Sequence, residues 1–293
     1  MNRITVFRTP PRIVMGPGAI GRIPQEVSEL KAEKVLFLDM IRREKADLVI
    51  GFGGGSPIDI AKAGAIMATN EGTIADFFGV DTIPKPGLPT LIVPTTAGTG
   101  SEATPIAILS DEGEKLKKGI VSPYLMPSVA VIDPELTLGL PPDITASTGT
   151  DALIHAIEAY TSVNATDMTD ILAFRAMELL YENIRTAYAN GNNLKARSCM
   201  MEGSLLAGIA FANAGVTAVH AFAYPIGAEF HIPHGVANTM MLSHVMRFNL
   251  LGNVPKFAEI ADAFSLPTEG LDDLGAVETA IDAIERLAED LRV

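Results

Sequence analysis

The feature that most limits the fold of this chain is an apolar run that ends in glycines and turns straight into a helix. Asp47-Leu-Val-Ile-Gly-Phe52 is followed at once by Gly53-Gly54-Gly55-Ser56-Pro57-Ile58-Asp59-Ile60-Ala61-Lys62. A strand that is apolar without alternation is buried on both faces, which requires a sheet covered by helices on each side. Arg12–Met15, Lys34–Leu38, Pro89–Val93 and Ser128–Asp133 read as further strands, and Ile20–Leu30 as an amphipathic helix. Short apolar runs separated by helical patterns predict a mostly parallel α/β sheet. One interval fits poorly. Only about ten residues part Leu38 from Leu48, where a crossover between parallel strands takes about a dozen or more.

The glycine loop has a chemical reading. Ser56 is placed to cap the next helix, with Pro57 at its first position. A strand, a glycine loop and a helix N-terminus together offer backbone N–H groups and the positive end of a helix dipole to a phosphate. A tight turn without a ligand explains the glycines equally well. A second loop of small residues, Pro94-Thr95-Thr96-Ala97-Gly98-Thr99-Gly100-Ser101-Glu102, also follows a strand. Ligands of open α/β sheets bind at that edge. Ala107–Leu109 begins a hairpin, and Lys115, Lys117 and Lys118 precede its return, where solvated lysines are the ordinary outcome.

Composition excludes several classes. A net charge of −13 argues against nucleic-acid binding, which needs clustered Lys and Arg. No apolar run approaches the ~18 residues of a membrane span, and the first residues lack the apolar core of a signal peptide. A cytoplasmic protein is the expectation. The single cysteine, Cys199, excludes an intrachain disulfide and is expected to pack in the core. The length allows about two domains. The prolines of Leu136–Pro142 place the boundary near residue 143, giving an α/β domain over 1–143 and an all-helical domain over 144–293.

In that second part, helices are expected at about 144–163, 168–190, 194–213, 216–229, 236–250, 254–264 and 274–291. Asp151 and His155 stand four apart in the first of them, so a carboxylate and an imidazole share one face. His220 lies in a later apolar helix, and His234 stands at a helix entrance just after Pro233. One carboxylate and three imidazoles suit a divalent transition metal such as iron or zinc. Satisfied core or surface histidines are the alternative.

Taken in order and spacing, the glycine stretch 53–62, the threonine-glycine stretch 94–102 and the Asp151, His155, His220, His234 set resemble the iron-containing (group III) alcohol dehydrogenase family. The resemblance runs from about Pro11 to the C-terminus. It implies an N-terminal α/β dinucleotide-binding domain with a mostly parallel sheet, then an all-α helical domain. It implies Fe2+, or Zn2+, held by Asp151, His155, His220 and His234, with NAD or NADP as coenzyme. Gly53, Gly54, Gly55 and Ser56 would cradle the pyrophosphate, with Asp59 in the same motif. Thr95, Thr96 and Thr104 would line the nicotinamide and ribose, Lys118 would contact the ribose, and Leu136 would lie on the adenosine side. Asp39 resembles an acidic residue that favours NAD by repelling a 2′-phosphate. The implied reaction is reversible hydride transfer between a small alcohol and its aldehyde or ketone, with the metal as Lewis acid. A homodimer is the default assembly.

Two departures from the family pattern matter. Tyr224 stands where some members carry a proton-relaying histidine, which leaves water, a ribose hydroxyl or His231 as the candidate relay. The chain also lacks segments expected after Leu38 and at its end. Two rivals stay open. A polyol dehydrogenase or a dehydroquinate-synthase-like lyase would call for extra basic residues at the site, and the region around 151–234 offers few, Arg175, Arg185, Lys195 and Arg197, none beside the ligands, which argues against an anionic substrate. A catalytically dead metal-binding remnant of the same scaffold is the other. Phe211, Phe222 and Phe230 suggest an uncharged pocket.

Overall fold

The computed structural model describes residues 6–31, 35–36, 45–111, 116–230 and 232–293. Two compact units divide it. One comprises Arg8–Thr96 and Gly100–Thr137, and the other comprises Leu138–Val293 with Ala97–Thr99.

The first unit holds strands β1 (Arg12–Met15), β2 (Val35–Leu36), β3 (Leu48–Gly53), β4 (Gly79–Val80), β5 (Thr90–Pro94), β6 (Ile106–Asp111), β7 (Leu116–Val121) and β8 (Val129–Ile132). Its helices are α1 (Ile23–Glu29) and α2 (Gly55–Thr69). Five strands form a sheet in the order β1-β8-β5-β3-β2, parallel at every pairing. The expected parallel sheet is therefore present. Val49, Ile58, Ala61, Ala65 and Ile92 pack together in one apolar cluster, and Leu48, Ile50, Leu91, Val93, Val129 and Val131 in another. Apolar clusters of this kind on alternating residues of one strand are what an unalternating apolar run demands. Gly51 lets α2 lie close: a Cβ there would stand 2.8 Å from the Ala61 Cβ.

β2 pairs parallel with β3, as the sequence reading of two parallel strands here requires. A second sheet, β4-β7-β6, was only half expected. The hairpin β6/β7 is antiparallel, but β4 joins it in parallel through two residues, too few to leave an apolar pattern.

The second unit is built of helices: α3 (Pro142–Thr161), α4 (Asp167–Ala189), α5 (Leu194–Ala214), α6 (Ala218–Phe230), α7 (His234–Asn249), α8 (Val254–Ala263) and α9 (Asp273–Leu291). Starts have visible causes. Thr166 caps α4, Asn193 caps α5 and Asp272 caps α9, each through its side-chain oxygen. α3 is buried along most of its length, from Gly149 without interruption to Tyr160. Gly235 sets the approach of α7, since a Cβ there would lie 1.8 Å from the Ser147 carbonyl oxygen of α3. Cys199 is half-buried rather than a core residue.

Candidate metal centre

α3 carries Asp151, His155 and Glu158 along one face at intervals of four and three, and all three are buried. His220 rides in the first turn of α6 and His234 begins α7 after Pro233. These helices bring three donors together. Asp151, His220 and His234 each offer one atom, and the three lie within 4.8 Å of one another. Asp151 Oδ1 is 3.6 Å from His220 Nε2 and 3.8 Å from His234 Nε2.

His155 joins this cluster by stacking. Its ring lies on that of His220, with centroids 4.5 Å apart and planes 18° from parallel. Phe211 stacks on the same ring at 4.3 Å. His155 Nδ1 is buried without a hydrogen-bond partner. His155 is not among the three residues whose atoms converge, but an orphaned nitrogen on a ring stacked against His220 fits a residue with a further bond to make.

Asn238, one turn along α7 from His234, was not foreseen. It is fully buried. Its amide nitrogen lies 2.7 Å from Asp151 Oδ1, 3.1 Å from His220 Nε2 and 3.2 Å from His234 Nε2. Asp151 Oδ1 accepts from this amide, which has two hydrogens for three partners, and each ring nitrogen can accept only where it carries no proton. Its spacing of four from His234 was the available signal. Glu158 was also missed, although it follows Asp151 by seven, two helical turns. It pairs with His220 Nδ1.

The electrostatics follow from burial against charge. Burial pushes the Asp151 carboxyl up, but the His155, His220 and His234 imidazoles outweigh it and hold the group well below the usual range. Burial pushes His155 down to about 4, against the pull of Asp151, so this ring is neutral and able to ligate. Burial also disfavours the charged form of His220, but Asp151 and Glu158 overcome it and raise the group to about 9.

The basic residues of this region are engaged or exposed elsewhere. Arg175 pairs with Glu178 and Arg185 with Asp290. Arg197 donates to Thr145, Gly191 and Leu140, and Lys195 is exposed. Of the aromatic residues expected near the ligands, Phe211 is there, whereas Phe222 and Phe230 are exposed. Tyr224 stacks on His234 at 5.2 Å.

In the other unit, both small-residue loops leave the same edge of the sheet, because β3 and β5 are parallel neighbours. The Gly53 carbonyl accepts from Thr95 N–H at 2.9 Å. Gly53 has φ 143° and Gly54 occupies the cap of α2 with extended backbone. Ser56 is thus the second residue of α2 rather than its cap, and no side chain caps this helix. The helix starts early because glycine tolerates both positions. A Cβ on Gly54 would meet Thr96 at 3.5 Å, so Thr96 lies against the glycine loop.

Asp59 and Thr104 face inward. Asp59 accepts from the Ser101 hydroxyl at 2.6 Å and from Ile108 N–H at 2.9 Å. Buried Lys62 donates to the Ser101 hydroxyl, to the Thr104 carbonyl and hydroxyl, and to the Ile106 carbonyl. This network ties α2 to the second loop. Lys118 pairs with Asp111 at 2.8 Å and lies over the Phe78 ring. Leu136 packs against the sheet's apolar cluster. Asp39 and His231 lie outside the described residues.

Known proteins carry the same pattern. A family model described as "Fe-containing alcohol dehydrogenase family, C-terminal" matches residues 145–293, and one described as "Iron-containing alcohol dehydrogenase" matches residues 37–134. A 1,3-propanediol dehydrogenase of Citrobacter freundii is 46% identical over 256 residues, covering 87% of this chain and 66% of that protein. An NAD-dependent methanol dehydrogenase of Bacillus methanolicus is 40% identical over 249 residues, covering 85% and 65%. The chain thus spans about two thirds of the length of these relatives. The crystal structure of a 1,3-propanediol oxidoreductase superposes with a TM-score of 0.96 at 38% identity, covering 99% of this chain and 87% of that one.

Proposed function

This chain belongs to the iron-containing alcohol dehydrogenase family, and from that premise we propose that it is a metal-dependent, NAD(P)-linked alcohol dehydrogenase interconverting a small alcohol with its aldehyde or ketone. The observation that carries this reading is the convergence of Asp151, His220 and His234 on one buried point, with neutral His155 stacked beside it. Those four residues would hold the metal. A divalent ion there supplies Lewis acidity toward an alcohol or carbonyl oxygen.

The residues of the chain supply the rest. Asp151 would offset part of the ion's charge, and binding the ion would displace the second proton that Asp151 and Glu158 favour on His220, so that three neutral imidazoles leave a net positive site. Phe211 on His155 excludes water from one side of the cluster. Gly53, Gly54, Gly55, Ser56, Thr95 and Thr96 would receive the coenzyme at the strand ends, with pyrophosphate against the free N–H groups of Gly55 and Ser56 in the first turn of α2. Asp59, Lys62 and Thr104 would brace those loops. The placing of Lys118 and Leu136 near the ribose and adenosine rests on the family resemblance. The engagement of Arg175, Arg185 and Arg197 elsewhere favours an uncharged alcohol over an anionic one.

The reading extends to a cytoplasmic homodimer, which sedimentation of the purified chain would test against a monomer. The activity is tested by NADH oxidation with a small aldehyde, using chelated protein with and without ferrous iron under anaerobic conditions. Iron-dependent turnover is expected. Binding of NADH without turnover, whatever the metal, would favour the remnant reading.

A further inference from the structure

Glu158 has no part in the donor cluster, yet its carboxylate is committed at both oxygens. It is 2% exposed. Oε1 accepts from Thr217 N–H and from Val219 N–H, each at 2.9 Å, and also from the Thr217 hydroxyl. Oε2 faces His220 Nδ1. The two backbone groups are donors without choice, so Oε1 must be an acceptor. Nε2 is the ring nitrogen turned toward Asp151, so a ring that ligates there keeps its hydrogen on Nδ1, where Oε2 is placed to accept it.

That requirement has a consequence at the far side of the ring. With its hydrogen on Nδ1, the neutral, metal-binding form of the ring leaves its lone pair on Nε2. Nε2 is the atom that faces Asp151 Oδ1 at 3.6 Å and the Asn238 amide at 3.1 Å. We infer that Glu158 is a positioning residue for His220: it selects the Nδ1–H tautomer, aims Nε2 at the point shared with Asp151 and His234, and anchors the first turn of α6 on which His220 rides. This inference rests on the metal-centre reading above. The same carboxylate thus couples two tasks through residues 59 to 62 positions away in sequence. Partners of this kind fix the orientation of ligating histidines in metal sites, and their loss costs about 10–100-fold in metal affinity.

Glutamine cannot replace it. An amide turned to accept at the Thr217 and Val219 end presents its NH2 to His220 Nδ1. That forces the proton onto Nε2, where the lone pair is needed. Turned the other way, the NH2 meets the Thr217 and Val219 N–H groups, both obligatory donors.

The test compares the full-length chain with E158Q by competition for Zn2+ against a chromophoric chelator. Wild type is expected to bind one Zn2+ per chain, and E158Q to bind about 10–100-fold more weakly. H220A, run alongside, is expected to lose the site. A second measurement needs no variant. In 15N-labelled, Zn2+-loaded wild type, His220 should show a slowly exchanging proton on Nδ1. Equal Zn2+ affinity in folded E158Q would overturn the inference while leaving the metal centre intact. So would a His220 proton on Nε2, which decides the matter if E158Q does not fold. Failure of wild type to bind Zn2+ at all would instead overturn the metal-centre reading, and the inference with it.

Discussion

His155 lies flat against His220, the two rings 18° from parallel with centroids 4.5 Å apart. Two cationic imidazoles would not tolerate that contact at this depth, and the conflict is resolved by burial, which holds His155 neutral. The stack therefore does two things at once. It packs the centre of the helical unit, and it holds a neutral imidazole against His220, one of the three converging donors.

These roles separate on substitution. His155→Phe keeps an aromatic ring against Phe211 and His220 but removes both nitrogens. We expect stability to change by no more than ~1.5 kcal/mol, as for other shape-conserving core replacements. Metal affinity should fall at least tenfold. Chemical denaturation and metal competition on the same preparation check both halves. Unchanged affinity would remove His155 from the ligand set.

Gly235→Ala should be severe. The added Cβ would stand 1.8 Å from the Ser147 carbonyl oxygen, a backbone atom that cannot rotate away. α7 must shift off α3, taking the adjacent His234 with it. We expect a loss of about 1–3 kcal/mol from overpacking, with weakened metal binding beyond it. Gly252→Ala is the control, because nothing lies within 4 Å of its Cβ position, and its effect should stay within about 0.5 kcal/mol. Equal melting temperatures for the two variants would contradict the close approach of α7 to α3.

A pH dependence follows from Glu102. Burial raises its carboxyl to about 7 from an ordinary 4.5, against the opposing pull of its own backbone N–H and of Lys62. The folded chain therefore holds a proton that the unfolded chain releases. The resulting stability is present in full below about 4.5 and is lost as pH rises through about 7. Glu102→Gln should escape that loss. The stability of the variant relative to wild type should grow between those pH values, by up to roughly 3 kcal/mol. Urea midpoints across the range would show it, and a difference that stays flat would count against a buried, protonated Glu102.

Much of this was legible in the sequence. The seven helices of the second unit fall within two residues of their expected ends, because apolar periodicity and caps such as Thr166, Asn193 and Asp272 are local signals. Asp151, His220 and His234 were legible by residue type and by the spacing of helices. Glu158 and Asn238 were not, although each sits a whole number of turns from a ligand. Glutamate and asparagine on a helix are ordinarily solvated, and only the fold brings Thr217 and His220 to the one and Asp151 to the other. Lys62 escaped notice for a similar reason. A lysine is seldom fully buried, and its four acceptors on Ser101, Thr104 and Ile106 lie about forty residues on. The inward turn of Asp59 belongs to that same network.

The central claim is that the helical unit carries one metal site on which turnover depends. The most direct test is elemental analysis of the purified chain, paired with NADH oxidation by a small aldehyde before chelation, after chelation, and after anaerobic return of ferrous iron. The account predicts one divalent ion per chain, loss of turnover on chelation, recovery on return of iron, and neither ion nor recovery in His220→Ala. Turnover that survives complete removal of metal, or full recovery in His220→Ala, would contradict it.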